Sequence, residues 1–127
     1  MIYELIKLLI SYIIGLLVGN ERQKNHKPIG TRTIAILTVS STLLTIIILR
    51  FCPYDTARIM SGIITGIGFL GAGSIIAEGK TVKGHTTAVL VWAMSIIGIG
   101  IGIGEFFLSI ISSFLIYVTL IMNDKNK

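Results

Sequence analysis

Residues 33–51 read TIAILTVSSTLLTIIILRF, an apolar run without an acid and with one base, Arg50, beside its end. As a helix it is about 28 Å long, and the hydrocarbon core of a bilayer is about 30 Å thick. A membrane-spanning helix is the direct reading. Four of its hydroxyls, Thr38, Ser41, Thr42 and Thr45, recur at i, i+3, i+4 and i+7 and so share one helical face. Hydroxyls in a membrane helix bond their own i−4 carbonyl or reach a neighbouring helix. The stripe therefore reads as a packing face, with a wetted pathway as the other option.

Similar blocks lie on either side. The spans expected are 5–19, 33–51, 57–77, 85–103 and 106–122. The block from His85 to Met122 is about 57 Å long as a helix, too long for one span, and Gly104-Glu105 divides it. Between the blocks stand a basic loop with the turn Lys27-Pro28-Ile29-Gly30, a connection Cys52-Pro53-Tyr54-Asp55, and a turn at Glu78-Gly79-Lys80. The 127 residues thus form one transmembrane domain of all-α class, a polytopic helix bundle of about five spans. The composition agrees. The chain is 53% hydrophobic and 13% charged, against roughly 25% charged in a soluble domain. A soluble enzyme and a disordered segment are both excluded.

The net charge of +5 forms no single patch, so nucleic acid is not implied. The bases instead alternate with the spans. Arg22, Lys24, Lys27, Arg32, Lys80, Lys83, Lys125 and Lys127 fall on one side, and Lys7, Arg50 and Arg58 on the other. Under the positive-inside rule this places the N-terminus outside and the C-terminus in the cytoplasm. Met1-Ile2-Tyr3-Glu4 lacks the basic start of a signal peptide, so the first block reads as an uncleaved span. The single Cys52 cannot form an intrachain disulfide.

Fourteen glycines would weaken a soluble fold, whereas small residues let membrane helices pack closely. Gly15 and Gly19 form a GxxxG pair. In the third span Gly62, Gly66 and Gly73 fall on one face and Gly68 and Gly71 on the opposite one. In the fourth, Gly98, Gly100, Gly102 and Gly104 form two interleaved pairs on opposite faces. Both spans are therefore expected to be approached from two sides. Tight packing is the plain reading, and helix unwinding around a transported solute is the sharper one. Gly66-Ile67-Gly68-Phe69-Leu70-Gly71 fits G-x-G-x-x-G but lacks the βαβ context of a dinucleotide site.

Charges near membrane depth are functional candidates. Glu21 and Arg22 end the first span and Arg32 opens the second, so a helical hairpin would bring them together. Asp55 and Arg58, three apart, can also pair. For both sets the alternative is capping, snorkelling and topology control. No catalytic constellation can be named. His26 and His85 lack further ligands at zinc spacing, and no cofactor or metal site is expected. Mg²⁺ prefers one or two carboxylates with retained waters, which leaves a weak site open.

Several stretches resemble the MgtC/SapB family of bacterial inner-membrane proteins. They are Gly15-Leu-Leu-Val-Gly-Asn-Glu-Arg-Gln23, Gly30-Thr-Arg-Thr33, Asp55-Thr-Ala-Arg-Ile59, SGIITGIGFLGAGS at 61–74, and Val82-Lys-Gly-His-Thr-Thr-Ala88, followed by Trp92 and the glycine run. The resemblance implies a membrane domain of four or five helices in the bacterial cytoplasmic membrane, of the short form without a soluble C-terminal domain. It also implies a role in adaptation to magnesium limitation or acid stress, with the F-type ATP synthase as one partner. The family's polar elements fall on Glu21, Arg22, Arg32, Asp55, Arg58, Thr86 and Thr87. Two functions remain open on this reading. One is a non-enzymatic membrane protein acting through helix–helix contacts with itself or another membrane complex. The other is a small oligomeric ion transporter or channel built around the hydroxyl stripe and the Glu21, Arg22 and Arg32 cluster.

Overall fold

The computed structural model describes residues 1–27 and 29–122, with the backbone alone at 76–78. Pro28 of the expected turn, and Lys125 and Lys127 of the tail, lie outside the described residues. Five helices dominate: α1 (Ile2–Lys24), α2 (Thr31–Phe51), α3 (Thr56–Ala72), α4 (His85–Ile103) and α5 (Phe106–Ile121). A short 3₁₀ turn, Pro53–Asp55, joins α2 to α3, with Pro53 at its first position. Helices α1, α2 and α4 are each long and apolar enough to cross a membrane, while α5 is a shorter apolar helix of 16 residues.

Two boundaries differ from the sequence reading. Helix α1 continues past Gly19 to Lys24, which places Glu21 and Arg22 on a helix rather than in a loop. Helix α3 stops at Ala72, short of Ala77. There Ser74 closes the end, its Oγ donating to the Gly71 carbonyl at 2.6 Å. The chain then forms a hairpin of β1 (Ile76–Glu78) and β2 (Thr81–Lys83), pairing Ile76 with Lys83 and Glu78 with Thr81. Gly79, at φ +59, supplies the turn. Gly84 leads into α4 at φ +96, and its Cα lies so close to the Ser74 carbonyl that a Cβ would collide with it.

Helix α4 is the hub, packing against α1, α2, α3 and α5. It is apolar all round, as a helix enclosed by others must be. Its Leu90, Val91, Met94, Ile97 and Ile101 meet Val18 of α1 and Ile34 and Leu37 of α2 in the core. Large apolar side chains such as Phe107, Phe114 and Leu115 point outward along α5, which suits contact with lipid rather than water.

The glycines decide how close the helices come. A Cβ at Gly15 would lie 2.8 Å from the Ala35 Cα, and one at Gly19 would lie 2.7 Å from the Thr31 Cα, so α1 and α2 touch backbone to backbone. At Gly98 a Cβ would lie 2.6 Å from the Thr38 carbonyl oxygen, and at Gly102 it would lie 2.6 Å from the Thr45 Cβ. The hydroxyl stripe of α2 is thus the surface into which one glycine face of α4 fits. Gly100, on the other face, meets Ser109 of α5, so α4 is approached from two sides as expected. Gly71 lies against the Ala88 carbonyl, and Gly68 reaches Trp92 at 4.0 Å.

Four of the expected packing glycines have other surroundings. Gly73 is the C-cap of α3 and faces only its own last turn. Gly104 ends α4 at φ +106 as a left-handed cap, and a Cβ there would lie 3.1 Å from the Tyr3 Oη of α1. Gly62 and Gly66 have nothing within 4 Å of a Cβ. Within one chain α3 is therefore approached from the Gly68 and Gly71 side, and its opposite face is open.

Candidate functional site

Helix α1 carries a lipid-facing apolar surface for most of its length and then turns polar at Asn20-Glu21-Arg22. These residues extend the same helix beyond Gly19, where α1 presses on the start of α2. The close approach buries the next two side chains of that face: Glu21 is 7% exposed and Arg22 is 4% exposed. They pair, with Glu21 Oε2 3.6 Å from Arg22 Nη1. Asn25, one turn on, donates from Nδ2 to Glu21 Oε1 at 2.8 Å. On the far side Arg22 Nη2 donates to Thr87 Oγ1 at 3.2 Å, tying the end of α1 to the first turn of α4. Residues 65 apart in sequence so form one buried polar group.

The group is incompletely satisfied. Glu21 Oε2 and Arg22 Nε are buried without a hydrogen-bond partner, an arrangement that costs stability in a low-dielectric interior and marks a place of functional interest. Both residues line a cleft of about 710 Å³ between the ends of α1 and α5, together with Lys24, Asn25, Thr86 and Tyr117. Among the described residues the cleft holds bases, amides and hydroxyls around a single acid, Glu21, that Arg22 already faces. Such a site can hold an anion or a polar head and offers no nucleophile–base pair.

The structure divides the sequence candidates. Glu21, Arg22 and Thr87 come together, and Thr86 stands exposed at the rim of their cleft. Arg32 does not join them. It is exposed and in no ion pair among the described residues, because the α1–α2 contact at Gly19 and Thr31 turns it outward. Asp55 and Arg58 pair at 3.3 Å at the opposite end of the bundle, with side chains 55% and 81% exposed. The hydroxyl stripe lies in the protein interior. Thr38, Thr42 and Thr45 donate to the carbonyls of Ile34, Thr38 and Ser41, and Thr42 also reaches the Gly98 carbonyl at 2.8 Å. Among the described residues no three of His, Cys, Asp and Glu converge as a metal site.

A second polar group escaped the sequence reading. Lys7, counted there only for topology, is buried and donates from Nζ to the Gly102 carbonyl at 2.8 Å. Its ammonium also lies 4.6 Å from the centre of the Tyr3 ring, which packs edge-on against Phe106. Lys7 thereby places a positive charge at the C-terminal end of α4, where the helix dipole favours it. Beside it Glu4 pairs with Arg50, joining α1 to α2. The signal was present: Lys7 interrupts an apolar run inside a span, where a charge needs a partner.

The profile of the MgtC family matches residues 8–127. Protein MgtC of Salmonella typhimurium is 36% identical over 102 residues, covering 80% of this chain and 44% of that protein. Protein SapB of Bacillus subtilis is 36% identical over 110 residues, covering 79% and 47%. An uncharacterized protein of Haemophilus influenzae is 34% identical over 125 residues, covering 90% and 52%. The chain spans about half the length of these relatives. No solved structure matches it.

Proposed function

The chain belongs to the MgtC family, and on that footing we propose that it acts without catalysis, through helix–helix contact in the bacterial cytoplasmic membrane, across the open face of α3. The partner is a second copy or another membrane complex, and the setting is adaptation to magnesium limitation or acid stress, as the family resemblance implies. The F-type ATP synthase is the partner that the same resemblance suggests.

One observation carries this reading. The glycines of α1 and α4 that form GxxxG pairs at 15, 19, 98 and 102 each meet a neighbouring helix, and so does Gly71 of α3. Gly62 and Gly66 form another such pair and meet nothing. Lipid is as apolar as a leucine side chain, so an apolar helix gains little by presenting glycine to it, whereas close helix contact requires small residues. The charge distribution supports an orientation with the N-terminus outside and the Glu21 end in the cytoplasm.

The test is Gly62→Leu with Gly66→Leu, assayed by crosslinking in native membranes. Space is open at both positions, so the single-chain fold is expected to keep its thermal midpoint while crosslinked species disappear. Undiminished crosslinking together with an undiminished stress phenotype would sink the proposal.

A further inference from the structure

Helices α4 and α5 meet closely where Gly100 faces Ser109, and they diverge toward the other end of the pair. The divergence leaves a groove of about 420 Å³, walled by Val89, Leu90 and Ala93 on α4 and by Leu115 and Ile116 on α5. It is almost wholly apolar. The groove is continuous with the polar cleft at the end of α1, because Thr86, Thr119 and Leu120 line both. Both volumes lie within the range of ligand sites, roughly 300–1,000 Å³.

The polar half is suited to negative charge. Lys24 and Lys27 line it, and Glu21, the one acid among its described residues, already faces Arg22. The cleft reaches Thr86 in the first turn of α4, whose N-cap is Gly84, without a side chain to satisfy the first amides. Arg22, buried and lining the same cleft, keeps Nε without a hydrogen-bond partner. An apolar slot opening at membrane depth into a basic pocket at the helix ends has the amphiphilic division of a phospholipid.

We infer that this continuous surface binds an anionic phospholipid of the surrounding bilayer, with the phosphate-bearing headgroup at Lys24 and Arg22 and an acyl chain between α4 and α5. A soluble anion would use the cleft and ignore the groove. A helix from a second copy would use the groove and ignore the charge. The lipid alone needs both, so substitutions in the two halves separate these cases. The groove and the cleft include no residue of α3, so the outcome of the measurement is distinct from that of the α3 contact.

The experiment titrates the purified full chain in detergent with phosphatidylglycerol or phosphatidylcholine and counts bound lipid by native mass spectrometry. Phosphatidylglycerol is expected to bind about tenfold more tightly than phosphatidylcholine. Lys24→Glu, at an exposed position, is expected to remove most of that preference. Ala93→Trp, which fills the groove, is expected to weaken both lipids, and Val89→Trp, from an exposed wall position, checks the same point without loading the core. Equal binding of the two lipids by the wild type would overturn the inference. So would phosphatidylglycerol binding that survives both tryptophan variants and is displaced by inorganic phosphate, or tryptophan variants that abolish a dimer while lipid binding stays intact.

Discussion

Replacing Gly98 with Ala adds one methyl group at the contact between α4 and the hydroxyl stripe. Its carbon would stand 2.6 Å from the Thr38 carbonyl oxygen and 2.7 Å from the Ser41 Cβ. Ordinary contacts need roughly 3.5–4 Å, so the helices must separate by most of an ångström or tilt. Separation weakens the hydrogen bond from Thr42 Oγ1 to the Gly98 carbonyl, 2.8 Å long and of a kind worth about 0.6–1.7 kcal/mol in a membrane interior. Overpacking adds about 1–3 kcal/mol, and alanine returns up to about 1 kcal/mol of helix propensity. The net is a loss of about 1–3 kcal/mol, or several degrees in Tm for a chain of this size. Gly66→Ala is the matched control, since nothing lies within 4 Å of its methyl, and it should hold or raise Tm in detergent at protein concentrations where the chain is monomeric. Thermal unfolding followed by size-exclusion recovery measures both. A Gly98→Ala midpoint at or above wild type, or an equal fall for Gly66→Ala, would refute the packing argument.

Other substitutions test the polar groups. Glu21→Gln leaves the Arg22 guanidinium buried without its counter-charge and should cost about 3 kcal/mol; adding Arg22→Gln should recover part of the loss, and additive losses in the double variant would show that the two do not act as a pair. Lys7→Met removes the donor to the Gly102 carbonyl and should lower stability by about 1–2 kcal/mol, read as a fall in Tm; an unchanged midpoint would mean the charge only sets topology. Asp55→Ala or Arg58→Ala breaks an exposed pair and should shift stability by less than about 1 kcal/mol, and a larger fall would give that end of the molecule a role its exposure does not suggest.

The candidate site was half legible in the chain. Glu21 and Arg22 stood out because charge beside a span needs an explanation, and Thr87 entered through the family resemblance. Their meeting was not legible, since Arg22 and Thr87 are joined by a fold that carries residues 65 apart into contact. Arg32 looked like the partner because it opens the next helix, yet the Gly19–Thr31 contact turns it outward. Lys7 was read as a topology marker because a count of charges ignores depth.

Length, hydropathy and the 3.6-residue period settled the number and rough extent of the helices, the shared face of Thr38, Ser41, Thr42 and Thr45, and the opposed glycine faces of α3 and α4. These are properties of one segment at a time, additive along the chain, and they need no neighbour to be true. Which face meets which neighbour is a matter of matching two surfaces made by distant segments. Only the tertiary structure paired Gly98 and Gly102 with the hydroxyl stripe, set Lys7 on the end of α4, and left Gly62 and Gly66 open. Close packing in lipid depends on shape at the scale of a single methyl group, and such fit exists only once the backbones have been brought together.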